Sequence, residues 1–73
     1  MELPANTKRQ ILTSLITEAE STIFRLTCMG RAYSAIGIPN DAKESADKAG
    51  KIEMFKADLE KQLEALGPPD AAQ

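Results

Sequence analysis

The sequence predicts an all-α fold, an antiparallel hairpin of two helices over 7–36 and 41–66 that self-associates into a helical bundle. Apolar residues recur every three or four positions in both segments, which is the spacing of an amphipathic helix. Between them, the stretch SAIGIPNDAK at 34–43 combines a helix stop with a helix start. We expect one hairpin domain over 1–73, with a frayed N-terminus at 1–5 and a C-terminal tail at 67–73.

The first predicted helix has two possible starts. Thr7 with Gln10 three residues later forms a cap pair, and Pro4 at a first helical position is the alternative. Its apolar stripe follows a three-four spacing through Leu12, Leu15, Ala19, Thr22, Leu26, Met29, Tyr33 and Ile36. We keep this helix continuous through Gly30, although a break there would give shorter helices.

The helix boundaries around the turn have specific residue signals. Gly37 can adopt the left-handed conformation that closes a helix, and Pro39 cannot continue one. Asp41 with Glu44 has the capping-box spacing, which predicts that the second helix begins at Asp41. Leu66 followed by GPP predicts its end.

The second helix carries an apolar stripe that matches the first. The stripe comprises Ala42, Ala46, Ala49, Ile52, Phe55, Leu59, Leu63 and Leu66. In an antiparallel hairpin, the numbers of two residues that face each other add up to a constant. A sum near 78 places apolar residues of the first helix opposite apolar residues of the second. The residues expected to hold the hairpin are Leu12, Leu15, Leu26, Met29, Ile52, Phe55, Leu59 and Leu63.

A lone hairpin is a single layer, and a chain of 73 residues buries too little apolar surface in one layer to be stable by itself. A second copy would complete a four-helix bundle. The outward side of the first helix supplies the expected subunit contacts, which are Ile16, Thr17, Ile23, Phe24 and Cys28. As a thiol, Cys28 is expected to be a small buried hydrophobe rather than an exposed reactive group.

Composition argues against several functional classes. The chain has no His, one Cys and a formal net charge of −2, so we expect no catalysis, no cofactor, no metal site and no nucleic-acid partner. It has no signal-peptide core and no long apolar run. We therefore expect a cytoplasmic protein without a membrane partner.

One feature suggests a ligand site. Gly30 and Gly50 each lie within a predicted helix and fall within one helical turn of each other at the predicted register, which indicates a close helix approach, a kink or a shallow notch. Cations and a phenol at the same level would suit an anion or a nucleotide phosphate. The candidate ligand residues are Arg25, Arg31, Tyr33, Lys48 and Lys51.

Two functions remain open at this stage. The first is a non-enzymatic homo-oligomeric binding protein that presents a helical surface to a protein partner, as an adaptor, inhibitor or assembly factor does. The alternative is an oligomer that sequesters a small anionic metabolite, such as a nucleotide, at its subunit interfaces.

Overall fold

The computed structural model describes residues 2–67 and confirms the all-α antiparallel hairpin. Helix α1 spans Ala5–Ala35 and helix α2 spans Pro39–Ala65. Both helices run unbroken through their internal glycines, Gly30 and Gly50. The molecule measures 55 × 21 × 14 Å. Since a helix with its side chains is about 10–12 Å across, this is one layer of two helices.

Helix α1 begins earlier than the Thr7 cap predicts. Pro4 is the N-cap residue, with φ −60°, and no side chain caps the helix. The Lys8 amide donates to the Pro4 carbonyl oxygen at 3.0 Å, which closes the first turn. The Thr7 start is therefore wrong, and Pro4, the alternative first helical residue, is instead the N-cap residue directly before the helix. The first residue of the helix is Ala5.

The end of α1 is confirmed within one residue. Gly37 has φ +79°, and its amide donates to the Ser34 carbonyl oxygen at 3.1 Å. The Ile38 amide donates to the Tyr33 carbonyl oxygen at 2.9 Å. These paired bonds form a Schellman motif, in which glycine adopts the left-handed conformation without a Cβ penalty.

The start of α2 differs from the predicted capping box. The helix begins at Pro39, and Asp41 lies inside its first turn without a side-chain cap bond. Proline is suited to this position because its fixed φ matches the helix and the missing N–H would have no intrahelical partner. At the other end, Gly67 has φ +81° and donates to the Glu64 carbonyl oxygen at 2.9 Å, as the predicted stop requires. The predicted tail beyond Gly67 lies outside the described residues.

The register differs slightly from the predicted sum of 78. The Lys56 and Glu20 side chains meet at 3.3 Å, and an Arg9 guanidinium nitrogen donates to the Gly67 carbonyl oxygen at 3.3 Å. In each pair the two residue numbers sum to 76. The shift follows from the turn, because a connection of three residues, 36–38, has its midpoint earlier in the chain than a start at Asp41 implies.

The core between the helices is small. In the described residues, Ala19 and Leu59 are its buried hydrophobic members, and Ser45 is buried closer to the turn, opposite Gly30. Met29 and Phe55, predicted to hold the hairpin, are exposed instead. Helix α1 turns Gly30 rather than Met29 toward α2, and α2 turns half-buried Lys56 inward rather than Phe55. A one-residue step rotates a side chain by about 100°, which accounts for both corrections.

Candidate functional site: two faces of the hairpin

One side of the hairpin carries an open groove close to the turn. Its volume is about 710 Å³, and small side chains from both helices dominate its lining. The lining residues are Leu26, Thr27, Gly30, Arg31, Ser34, Ala35, Ala42, Ala46 and Ala49. We refer to this feature as the groove.

Gly30 sets the depth of the groove because it brings the helices close together. A Cβ at Gly30 would lie 3.6 Å from the Ala42 carbonyl oxygen and 3.7 Å from the Ser45 Cβ, which is ordinary van der Waals contact. At Gly50, a Cβ would meet no atom within 4 Å. The predicted close approach is therefore confirmed at Gly30. It is wrong at Gly50, which is exposed to solvent.

The groove presents little unsatisfied polarity. The Thr27 hydroxyl donates to the Ile23 carbonyl oxygen at 2.8 Å, so the side chain offers its methyl group outward. Within the described residues, exposed Arg31 forms no ion pair and is the charged member of the lining. The groove therefore suits an apolar segment that carries a neighbouring acidic group.

The same side of α1 continues away from the turn. Phe24 and Thr17 precede Arg31 by seven and fourteen residues, which are whole numbers of heptads and return to nearly the same angular position. Phe24 is 70% exposed. The Thr17 hydroxyl donates to the Thr13 carbonyl oxygen at 3.1 Å and so leaves its methyl outward. These side chains extend the groove side with further apolar surface.

An ion pair joins the helices on this side. Lys56 Nζ lies 3.3 Å from Glu20 Oε2 and 3.9 Å from Glu60 Oε2. The hydrogen bond to Glu20 raises the pKa of Lys56 above its ordinary value of 10.5, and the charges of nearby carboxylates add to this while partial desolvation opposes it. Lys56 therefore stays charged. It does so although it lies in the contact line between the two helices, which we call the seam and which is apolar elsewhere.

The opposite side of the hairpin carries the larger apolar residues. Met29 is two residues from both Thr27 and Arg31, a rotation of about 200°, and therefore points away from the groove. Phe55 is 51% exposed. It follows the groove residue Ala46 by nine residues, a rotation of about 900° or two and a half turns, and therefore lies on the opposite side of α2. We call this side the apolar face, and its residues are Ile11, Leu15, Thr22, Met29 and Phe55.

The apolar face also contains two opposite charges on α1. Glu18 and Arg25 are seven residues apart, so they lie on one line along the helix. Within the described residues neither forms an ion pair. Between them, the Thr22 hydroxyl donates to the Glu18 carbonyl oxygen at 3.0 Å. Thr22 can therefore be covered without losing a hydrogen-bond partner.

The predicted ligand residues do not gather in one place. Arg31 lines the groove, whereas Arg25 is six residues away, a rotation of about 240°. Lys48 and Lys51 are exposed outside the groove lining, and Tyr33 is half-buried.

The predicted subunit contacts divide into two groups. Ile16 and Ile23 are already half-buried within the single chain, whereas Thr17, Phe24 and Cys28 are exposed. Exposure of Cys28 corrects the expectation of a buried thiol. The reason is its helical position, because Cys28 is two residues from both Leu26 and Gly30, which face α2, and is rotated from each by about 200°.

Sequence reasoning missed three features. Ser45 lies in the seam because Gly30 leaves room for a small side chain there. Lys56 is half-buried in the seam because Glu20 provides a partner. The division into a groove and an apolar face depends on which side chains meet across the hairpin. A strict heptad running through Ala42, Ser45, Ala49 and Ile52 was the available signal for the seam.

Residues 2–67 hold no cluster of three or more His, Cys, Asp or Glu side chains arranged to bind a metal ion. Neither α1 nor α2 has a stretch that is both long and apolar enough to cross a lipid bilayer.

Comparisons with protein-family models, with curated protein sequences and with solved structures found no significant match.

Proposed function

We propose that this chain is a non-catalytic helical binding protein that works as a homo-oligomer and presents its groove side to a helical segment of a protein partner. The observation that carries the proposal is the amount of apolar surface that one hairpin leaves uncovered. Within residues 2–67, eight large hydrophobic side chains are exposed, including Phe24, Phe55 and Met54.

The exposed area supports the need for a covering partner. The accessible surface is 5667 Å², whereas a compact monomer of 7.9 kDa exposes about 4,400 Å². The excess of about 1,300 Å² is larger than the roughly 800 Å² that each partner buries in a standard interface. A second copy accounts for an excess of this size.

The groove supports a second, different partner. Gly30, Ala42 and Ala46 leave room for the side chains of an incoming helix. Thr27 has its hydroxyl satisfied within α1, so an apolar occupant leaves no donor without a partner. Phe24 beside the groove is a rigid aromatic anchor, a residue type that often dominates binding energy.

Quantitative affinity capture from an extract of the cells that make the protein tests this role. Phe24→Ala and Thr17→Glu are expected to lose a protein retained by the wild type, by at least tenfold, while subunit number stays unchanged. Met54→Ala is the matched control, because Met54 is 75% exposed and lies on the outer side of α2. Equal retention by all four proteins would contradict the proposed role.

The sequestering alternative has one supporting observation, the position of Arg31 in the groove beside Gly30. It predicts that native mass spectrometry finds a small anion on the oligomer. Arg31→Ala would remove this mass while the oligomer survives, whereas Arg25 and Tyr33, grouped with Arg31 in the sequence-based prediction, lie outside the groove lining. An oligomer without added mass would favour the protein-partner role.

A further inference from the structure

We infer that a second copy covers the apolar face, and that a twofold axis crosses this face at the level of Thr22 and Phe55. In this arrangement α1 packs antiparallel on α1 of the second copy, and α2 packs antiparallel on its α2. The inference rests on the proposed function, because it specifies how the proposed homo-oligomer forms. It places the second copy opposite the side that carries Thr17 and Phe24.

The line of residues along α1 is self-complementary. Across a twofold axis at Thr22, residues of the two copies meet when their numbers sum to about 44. Leu15 then meets Met29 of the second copy, and Glu18 meets Arg25 of the second copy. Symmetry repeats each contact. Glu18 and Arg25 form no ion pair within the described chain. In the dimer, each therefore lies opposite a residue of the opposite charge in the second copy.

The residues of helix α2 independently indicate a twofold axis at the same level of the hairpin. With Phe55 on the axis, facing residues sum to about 110. Lys51 then meets Asp58 of the second copy, and Phe55 meets its own symmetry mate. Aromatic pairs and opposite charges both favour this alignment.

The hairpin register links the two results. The contacts between Lys56 and Glu20 and between Arg9 and Gly67 have a sum of 76. At that register the position of α2 level with Thr22 is residue 54, one residue from Phe55. One residue of helix is about 1.5 Å. A single axis therefore satisfies both helices.

The apolar face is large enough for a dimer interface, and few of its polar groups would lose a hydrogen-bond partner when a second copy covers it. The broad side of the hairpin measures 55 × 21 Å, which is enough room for an interface in which each partner buries roughly 800 Å². The Thr22 hydroxyl, which lies at the axis, is satisfied by the Glu18 carbonyl oxygen. Covering this face leaves the groove open to solvent.

Charge reversal tests the axis. Glu18→Arg and Arg25→Glu each place like charges opposite one another twice by symmetry, so each is expected to raise the dimer dissociation constant at least tenfold. The double variant Glu18→Arg/Arg25→Glu restores the attraction and is expected to return it to within threefold of wild type. Sedimentation equilibrium measures all four proteins. Lys61→Glu, on the outer surface of α2, is the charge-reversal control and is expected to leave the constant unchanged.

A cysteine at the axis provides a measurement that does not depend on affinity. In a Cys28→Ser background, Thr22→Cys brings two thiols together across the axis and is expected to form a covalent dimer on mild oxidation. Ser21→Cys, rotated by about 100° from Thr22, is expected to remain uncrosslinked.

The outcomes separate this inference from the proposed function. A wild-type oligomer that tolerates Glu18→Arg and Arg25→Glu, and whose Thr22→Cys variant does not crosslink, would overturn the axis while leaving the proposed homo-oligomer in place. A wild-type chain that stays monomeric at about 100 µM would overturn both.

Discussion

The two sides of this hairpin differ in the size of the side chains they present. The apolar face carries Met29 and Phe55, which protrude, whereas the groove is lined by Gly30 and alanines of α2, which recede. Protruding side chains suit a broad interface between matching surfaces, and receding ones admit the side chains of another helix. One hairpin can therefore use one side for self-association and keep the other for a different partner.

This difference originates in the turn and the close approach beside it. The three-residue connection fixes the register, and Gly30 lets α1 approach Ser45 and Ala42. With Gly30 facing α2, Met29 is directed to one side and Arg31 to the other. The two faces are thus consequences of how the seam is filled.

The largest expected effect comes from the seam that both faces share. Leu59 is 6% exposed, so Leu59→Ala removes buried methyl groups and leaves a cavity, which is expected to lower the free energy of unfolding by about 2–5 kcal/mol. Urea denaturation at a fixed protein concentration measures this. Met54→Ala is the exposed control, and an equal loss in both variants would show that Leu59 is not a core residue.

A charge on either face separates their roles. Phe55→Asp is expected to raise the dissociation constant of the homo-oligomer by about a hundredfold, because a carboxylate would be buried without a partner. Ala46→Asp in the groove carries the same new charge and is expected to change that constant by less than threefold. Sedimentation equilibrium compares the two variants, and the reverse order of effects would exchange the roles of the faces.

The same substitution at the two internal glycines sharpens the account of the groove. Gly50→Leu faces open space and is expected to raise the free energy of unfolding by about 0.5–1 kcal/mol through helix propensity. At Gly30 a Cβ would already contact the Ala42 carbonyl oxygen and the Ser45 Cβ, so the bulkier side chain of Gly30→Leu is expected to crowd the helix approach and lower the free energy of unfolding by about 1–3 kcal/mol. Chemical denaturation measures both, and a gain in stability at Gly30 would contradict the close approach.

The smallest expected effect concerns the ion pair on the groove side. The folded-state pKa of Lys56 is raised above 10.5. The ion pair therefore contributes fully to stability at pH values below the unfolded-state pKa, and this contribution is lost as the pH rises through the folded-state pKa. Thermal unfolding between pH 8 and 12 is expected to show a steeper alkaline loss for the wild type than for Lys56→Gln. Parallel curves above pH 10 would show that Glu20 does not hold this charge.

Much of the fold follows from the sequence because the signals are local. Gly37, Pro39 and Gly67 mark helix ends through backbone conformation, and the stripes give the helical period. The assignment of Met29 and Phe55 to the seam failed because apolar character alone does not distinguish a seam position from its neighbour about 100° away. Asp41 failed as a cap because Pro39 starts the helix without a side-chain cap.

The candidate site was less accessible to sequence reasoning. Arg25 and Arg31 were grouped by their nearness in the chain, but their helical positions separate them. The inferred axis at Thr22 rests on three facts taken together, which are the register, the charges on either side of Thr22 and the bond from its hydroxyl to the Glu18 carbonyl oxygen. Of these, the register depends on tertiary structure, whereas the hydroxyl bond lies within α1.

Native mass spectrometry of the wild-type protein tests the central claim most directly, because it reports subunit number and any retained ligand together. The claim is that one hairpin leaves an apolar face that a second copy covers. We expect an oligomer built from 7.9 kDa chains, with the dimer as its smallest unit. A monomer at every concentration up to about 100 µM would contradict the claim.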